Sequence, residues 1–176
     1  MDYLISGLPP EPFLPLFGLP DDALRARNAT RVVADAKPGY PCRITLEDAE
    51  PGETLLLLHW PHLDLDTPYR SGGPIFVRES ATRAAVFRNR VPEQQRTRLL
   101  SVRAYDARGW MLDADVDEGT RLEALIERFF ANPEVAFLHA HNARRGCFAC
   151  RIDRVNTGRP GRHPATSAPS ALPSIP

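Results

Sequence analysis

The densest group of chemically capable side chains lies between residues 139 and 150. Within these twelve residues stand two histidines, His139 and His141, and two cysteines, Cys147 and Cys150. Imidazole and thiolate are common protein ligands of zinc, and a thiolate close to a histidine can also act as a nucleophile. The segment therefore predicts either metal binding or catalysis by a cysteine.

A metal site depends on which of these side chains share a face. Side chains alternate along a strand, so His139 and His141 point the same way, whereas Cys147 and Cys150 point to opposite faces if the next strand begins near Cys147. A three-ligand site of His139, His141 and one cysteine, taken here as Cys150, keeps a position open to water and suits zinc. The alternative is that the histidines pack inside a sheet and Cys150 is a small buried hydrophobe. The sequence makes no cofactor obligatory.

Cys147 is the predicted nucleophile, with His139 and His141 as its acid–base partners. It follows Arg144, Arg145 and a glycine in the chain. Neighbouring positive charge favours the thiolate form of a cysteine, which is the reactive form. We therefore predict catalytic roles for Cys147 and the two histidines.

A second candidate is the segment of residues 67–74, which contains Tyr69, Arg70 and a Gly-Gly pair. Backbone N–H groups beside small residues, together with a guanidinium, can bind an oxyanion. The segment lacks the spacing of a phosphate-binding P-loop or a dinucleotide fingerprint, and a plain loop between strands is the competing interpretation. The leading hypothesis is a pocket in which Arg70 binds an anionic small molecule while the histidines and Cys147 supply the chemistry.

Two other classes of function stay open at this point. One is a metal-binding protein that uses His139, His141 and a cysteine as ligands. The other is a non-catalytic interaction module, in which the Pro-rich C-terminal tail or the Pro-rich N-terminal segment meets a partner. The sequence does not predict an oligomeric state.

Composition excludes several partners. Acidic and basic residues balance at 22 each, so no net charge attracts nucleic acid or an anionic membrane. No basic stripe interleaved with aromatic residues is present, which argues against nucleic-acid binding. The N-terminus lacks the pattern of a secretory signal, and the longest apolar run, residues 55–58, is far too short for a membrane span. Three cysteines do not make a disulfide framework, so we expect a cytoplasmic protein.

The elements that must position these side chains are mostly strands. Apolar alternation predicts strands that follow one another directly, which favours antiparallel pairing and an α+β fold with a mainly antiparallel sheet. Apolar residues at helical spacing predict one principal helix over about residues 119–131, with short helical turns near the N-terminus. We predict a single domain over residues 1–155 and a disordered tail over 156–176, rich in Pro, Ser and Ala.

An acidic segment lies in one of these predicted strands. Asp113, Asp115 and Asp117 alternate at strand spacing, so they share a face. Three carboxylates on one face could bind a hard cation. A solvated strand edge is the more ordinary interpretation.

Six stretches of the chain carry a family resemblance: ISGLP (5–9), GYPCR (39–43), LEDAEPGE (46–53), PYRSGGPIF (68–76), RAYD (103–106), and HAHNA with GCF (139–143 and 146–148). Together they resemble an uncharacterised bacterial family, domain of unknown function 1203, over residues 3–155. The resemblance implies membership without an activity. It implies importance for the residues at its motif positions: Tyr40, Cys42, Arg43, Tyr69, Arg70, His139, His141, Asn142 and Cys147. Among these we expect ligand binding by Tyr40, Arg43, Tyr69, Arg70 and Asn142.

Overall fold

Two antiparallel β-sheets form the framework of the protein. The computed structural model describes residues 1–155, so the predicted disordered tail over 156–176 lies outside the described residues. The strands are β1 (Tyr3–Ser6), β2 (Ala29–Val33), β3 (Thr54–Leu63), β4 (Ser71–Arg78), β5 (Val86–Arg88), β6 (Leu99–Tyr105), β7 (Met111–Glu118), β8 (Phe137–Asn142) and β9 (Phe148–Arg154). The larger sheet has the order β5-β1-β9-β8-β6-β7 and the smaller one β2-β3-β4. The predicted antiparallel architecture is confirmed.

Helices are few and short. They are α1 (Asp21–Arg25), α2 (Glu93–Arg96) and α3 (Leu122–Phe130), and a 3₁₀ turn over Gly119–Arg121 runs directly into α3. The turn and α3 together make the twelve-residue principal helix that the apolar spacing predicts. No helix of residues 1–155 is both long enough and apolar enough to cross a bilayer.

The main core lies between α3 and one face of the larger sheet. On α3, Leu122, Leu125, Ile126, Phe129 and Phe130 are buried because they fall on one side of the helix. The facing strands contribute buried residues at alternate positions: Leu100, Val102, Ala104, Leu138, Ala140, Cys150 and Ile152. The opposite face of β8 therefore carries Phe137, His139 and His141.

The smaller sheet is centred on β3, which pairs with β2 on one side and β4 on the other. The apolar run in this strand is largely buried, with Leu55 and Leu56 fully inaccessible. A second core forms against it from residues of the N-terminal segment, the segment between β2 and β3, and β4. Ser71 and the Gly-Gly pair belong to β4, so the loop expected there is shorter than residues 67–74.

The three alternating aspartates lie on β7, an edge strand of the larger sheet. Asp113, Asp115 and Asp117 each accept a hydrogen bond from the N–H of the residue that follows, at 2.7–2.9 Å. Asp115 and Asp117 also form ion pairs with Arg128 and Arg121. These contacts favour the strand-edge interpretation, because side chains that occupy edge N–H groups oppose pairing with a further strand.

The segment between β2 and β3 connects the two sheets. Arg43 N–H donates to the carbonyl of Phe76 in β4, and Arg43 C=O accepts from Leu8, just beyond β1. Gly7 makes this approach feasible, because a Cβ atom there would lie 2.0 Å from the carbonyl oxygen of Ile44. The chain therefore needs a glycine where β1 meets this segment.

We expect Gly7→Ala to destabilise the protein by about 1–3 kcal/mol or more, since the added methyl group meets backbone that cannot rotate away. Gly73→Ala is the matched control, because a Cβ atom at Gly73 meets nothing within 4 Å. The measurement is the urea midpoint of each variant. Equal midpoints for the two variants would contradict the close packing of Gly7.

Candidate functional site

A cleft of about 1120 Å³ lies where the two sheets meet. One wall is the segment from Asp35 to Arg43, and a second comes from Leu57, Pro74 and Phe76 of the smaller sheet. The remaining wall comes from the larger sheet and the turn between β8 and β9. It consists of Thr97, Arg98, Leu99, Glu118, Asn142, Arg144, Arg145 and Cys147.

The guanidinium of Arg43 lies at the back of this cleft, and the residue is only 1% exposed. Its Nε–H donates to the carbonyl oxygen of Phe148, and Nη1 donates to the carbonyl oxygen of Pro41. Nη2 donates to Sγ of Cys147 at 3.2 Å. A planar group with several fixed donors can satisfy three acceptors at once, which a lysine ammonium on this stem could not do in the same geometry.

The strand register explains why the Phe148 carbonyl needs a side-chain donor. β1 covers β9 only as far as the pair of Ser6 with Arg151. Phe148 lies beyond that end, and Arg43 takes the place that a further β1 residue would occupy. The Arg43 side chain therefore continues the hydrogen bonding along β9 of the larger sheet, although the Arg43 backbone is hydrogen-bonded to β4 of the smaller sheet.

Arg43 is a buried cation without an ordinary counter-ion. Among residues 1–155 no carboxylate lies within 4.0 Å of its guanidinium, whereas Arg98 nearby is paired with Asp48 at 2.6 Å. Burial lowers the pKa of Arg43, and the charge of Cys147 acts in the opposite direction. Among residues 1–155, the sulfur of Cys147 is in direct contact with the guanidinium and can carry a negative charge that balances it.

Cys147 lies in the cleft wall because of the turn that precedes it. Gly146 adopts a φ of +71°, in the left-handed region that favours glycine, and its N–H donates to the carbonyl of Asn142 at 2.7 Å. Nδ2 of Asn142 donates to Sγ of Cys147 at 3.3 Å. The sulfur thus accepts N–H groups from two predicted ligand-binding residues, Arg43 and Asn142.

Tyr40 also lines the cleft, so four of the family-motif residues come together: Tyr40, Arg43, Asn142 and Cys147. The Tyr40 hydroxyl donates to Asp35 at 3.0 Å, and this hydrogen bond raises the pKa of Tyr40. Sequence reasoning missed Arg98 as a cleft residue, since it lies 55 positions after Arg43 in the chain and only the fold brings the two close together.

 Nothing in the local sequence around Arg98 marks it as part of a site, and only the tertiary structure brings it here.

Arg144 and Arg145 stand at the mouth of the cleft on the β8–β9 turn. Both side chains are exposed, and neither forms an ion pair with a carboxylate of the described residues. The sequence marks them as neighbours of Cys147 but not as ligand-binding residues. They place two guanidinium groups without carboxylate partners among the described residues in a wall that also contains the carboxylates of Asp35 and Glu118.

The two histidines predicted to assist Cys147 lie on the other face of β8. His141 alternates with Asn142, whose side chain contacts the sulfur, so the imidazole points away from the cleft. Neither His139 nor His141 lines the cleft. The structure therefore does not bring the predicted catalytic residues Cys147, His139 and His141 together.

The two histidines are buried and instead form a cluster with the half-buried His62 of β3 and the ring of Phe148. Ring centroids are 4.9 Å apart for His62 and His141 and 5.9 Å apart for His62 and His139. Nδ1 of His141 lies 3.2 Å from the carbonyl oxygen of Gly146, and Nε2 of His62 lies 3.0 Å from Oγ of Ser71. One nitrogen of each ring, namely His62 Nδ1, His139 Nδ1 and His141 Nε2, has no partner.

Burial keeps this cluster uncharged at neutral pH. It lowers the pKa of His141 to about 3 and that of His62 to about 4, and the nearby Arg103 acts in the same direction. Burial likewise lowers the pKa of His139 well below its usual range, with further effects from Arg151 and Arg103. The imidazoles are therefore neutral packing groups in the native state.

The residues of the predicted metal site are also separated. Cys150 pairs with Ala140 and points towards α3, on the opposite face of the sheet from His139 and His141. Burial raises the pKa of the Cys150 thiol to about 12, which disfavours the thiolate that zinc requires. Within residues 1–155 no group of three or more His, Cys, Asp or Glu side chains could hold a metal ion. The alternative interpretation, a small buried hydrophobe, describes Cys150 in this structure.

Tyr69 and Arg70 lie elsewhere on the surface. Arg70 forms an ion pair with Asp64 at 2.6 Å, and its side chain is 68% exposed. The ring of Tyr69 packs edge-on against Trp110, with centroids 5.9 Å apart. Neither residue lines the cleft, so the hypothesis of one pocket with Arg70 and the Cys147 group does not match the geometry.

The buried histidines predict a pH dependence of stability. In the unfolded chain each imidazole titrates near its ordinary pKa of about 6.5. Because the native pKa values are lower, the unfolded state binds more protons at mildly acidic pH. The contribution of the neutral imidazoles to the free energy of unfolding is complete above about pH 6.5. It is lost as the pH falls towards the native pKa values, by up to about 1.4 kcal/mol per pH unit for each histidine.

Urea unfolding at about pH 7, 6 and 5 measures this slope. We expect His141→Gln, which keeps a donor for the Gly146 carbonyl, to have a shallower slope than the wild type. His59→Gln is the matched control, because His59 is exposed on β3. If the free energy of unfolding depends on pH equally in His141→Gln and in the wild type, His141 is not kept uncharged by burial.

Residues 39–154 match the model of the family described as Protein of unknown function (DUF1203), and this segment includes Tyr40, Arg43, Asn142 and Cys147. No curated protein and no solved structure matches the chain. The resemblance predicted from the motifs is confirmed, and the chain belongs to the DUF1203 family.

Proposed function

We propose that this protein binds a small anionic molecule in the cleft and that Cys147 acts on it as a nucleophile. The observation that carries the proposal is the buried guanidinium of Arg43, which donates to Sγ of Cys147 and has no carboxylate partner in the described part of the chain. A buried charge is costly unless an opposite charge lies beside it. The thiolate of Cys147, or an anionic ligand next to it, supplies that charge.

The contacts of the sulfur support a nucleophilic role. Arg43 and Asn142 both donate hydrogen bonds to Sγ, and an anionic sulfur accepts such bonds better than a neutral thiol. Cys147 is partly exposed and lines the cleft, so a ligand can reach it. Reactive cysteines share this combination of positive surroundings and access.

The entrance of the cleft supports an anionic ligand. Arg144 and Arg145 line it without carboxylate partners among residues 1–155, and Arg guanidinium groups bind carboxylates and phosphates through paired hydrogen bonds. The packed rings of Tyr40 and Phe76, with centroids 5.4 Å apart, add an apolar wall. The volume is ample for a small molecule.

The proposal includes a cytoplasmic location. Cys42, Cys147 and Cys150 are all unpaired thiols. A reducing compartment keeps such thiols free, and a nucleophilic Cys147 depends on remaining reduced.

We expect iodoacetamide to modify the native protein once, at Cys147, because Cys42 and Cys150 are fully buried. Arg43→Gln should slow the reaction by roughly ten-fold at neutral pH, since the cation that favours the thiolate is lost. Asn142→Ala should slow it by a smaller factor. Mass spectrometry of the intact protein against time measures all three rates.

Arg70→Gln is the matched control for these variants, because Arg70 is exposed and lies outside the cleft. Circular dichroism and the urea midpoint show whether each variant is folded. If Arg43→Gln does not fold, Asn142→Ala decides alone. Unchanged rates in the folded variants, or modification of Cys42 instead, would refute the nucleophile.

A pair of alkylating reagents tests the anionic ligand. Iodoacetate and iodoacetamide react by the same chemistry and differ in charge, so their rate ratio reports the local potential. Relative to the ratio for 2-mercaptoethanol, we expect Cys147 to favour iodoacetate by roughly ten-fold at low salt. The Arg144→Ala/Arg145→Ala variant should lose most of this preference, while a wild-type ratio equal to that of 2-mercaptoethanol would contradict an anion-binding cleft.

A further inference from the structure

We propose that the ligand of the cleft is an acidic disulfide and that Cys147 forms a mixed disulfide with it. This inference rests on the proposed function and names its substrate class. Three features carry it: the groups that contact the sulfur, the charge at the entrance, and the positions of the other two cysteines.

The groups around the sulfur suit a reaction without proton transfer. Both hydrogen-bond partners of Cys147, Arg43 and Asn142, are N–H donors and cannot take or return a proton there. No histidine of residues 1–155 lines the cleft. These contacts therefore suit a reaction in which the nucleophile is already anionic and the leaving group departs as an anion.

Thiol–disulfide exchange meets both conditions. The thiolate of Cys147 attacks one sulfur of a disulfide RS–SR, a new S–S bond forms to Cys147, the old S–S bond breaks, and RS⁻ departs with the electron pair. One disulfide is consumed and one is formed, so no further oxidant or reductant is required. The guanidinium of Arg43 balances the negative charge that is shared among the three sulfur atoms during the exchange.

Charge at the cleft selects the acidic members of this class. Arg144 and Arg145 lack carboxylate partners in the part of the chain that the structure describes, and Arg43 is occupied by the sulfur. Of the two carboxylates that line the cleft, Asp35 and Glu118, the first accepts the Tyr40 hydroxyl. Carboxylates carried by the disulfide can bind the two free arginines at the entrance.

Neither Cys42 nor Cys150 is placed to attack the mixed disulfide on Cys147 and form an intramolecular disulfide with it. Cys42 is fully buried, and its sulfur accepts the backbone N–H groups of Ile44 and Arg78 at 3.4 and 3.3 Å. Cys150 is fully buried beneath α3 and does not line the cleft. The mixed disulfide on Cys147 therefore persists until a second small thiolate attacks it and releases the bound group.

Three small disulfides of different charge test this inference on the full chain. The probes are 3,3′-dithiodipropionate, which is anionic, 2-hydroxyethyl disulfide, which is neutral, and cystamine, which is cationic. Their exchange rates with Cys147 are followed by the mass of the adduct and divided by their rates with 2-mercaptoethanol. We expect one adduct per chain, removed by dithiothreitol, and a normalised rate for the anionic disulfide roughly ten-fold or more above that of cystamine.

The preference should fall towards unity in Arg144→Ala/Arg145→Ala and at high salt, and Cys147→Ser should form no adduct. Equal normalised rates for the three disulfides, an adduct on another cysteine, or an intramolecular disulfide would overturn the inference. The two alkylating reagents separate its failure from that of the proposed function. If iodoacetate is still preferred while the disulfides show no selectivity, only the disulfide class is lost, whereas loss of both preferences refutes both.

Discussion

The arrangement of the cleft depends on the hydrogen bonds of the Arg43 guanidinium. The backbone of Arg43 belongs to the segment that pairs with β4 of the smaller sheet, while its side chain completes hydrogen bonding at β9 of the larger one. It therefore ties the two sheets together where β1 ends. The same group donates to Cys147, so the geometry that joins the sheets also fixes the environment of the sulfur. The position needs a planar, permanently charged side chain with several donors.

Strand alternation divides the chemically rich segment of residues 139–150 among three environments. Cys150 lies in the core under α3, and the histidines pack against His62 and Phe148 on the opposite face. Cys147 lies beyond an irregularity in the β8–β9 pairing, on a turn that delivers it to the cleft beside Asn142. Residues that are adjacent in sequence thus have separate environments: the histidines and Cys150 are packed in the interior, and Cys147, the proposed nucleophile, lines the cleft.

The cleft is lined by one buried guanidinium, that of Arg43, and by two exposed ones, those of Arg144 and Arg145. Arg43 is buried and acts at short range on the sulfur, whereas Arg144 and Arg145 act from the surface and are screened by salt. The inner charge suits a reactive thiolate, and the outer charges suit recognition of an acidic molecule. The different effects of these three residues follow from their positions in the fold, since all three are arginines.

The sequence by itself determined the antiparallel architecture, the principal helix and the family, because each depends on local periodicity or on motifs that can be read along the chain. It also indicated the group of Tyr40, Arg43, Asn142 and Cys147 through their motif positions. It could not decide which motif residues meet. Tyr69 and Arg70 carry a motif of equal prominence yet lie outside the cleft, and Arg98 lines it without any local signal. Only the tertiary structure decided these contacts, because strand register and the approach of the two sheets set distances that periodicity does not contain.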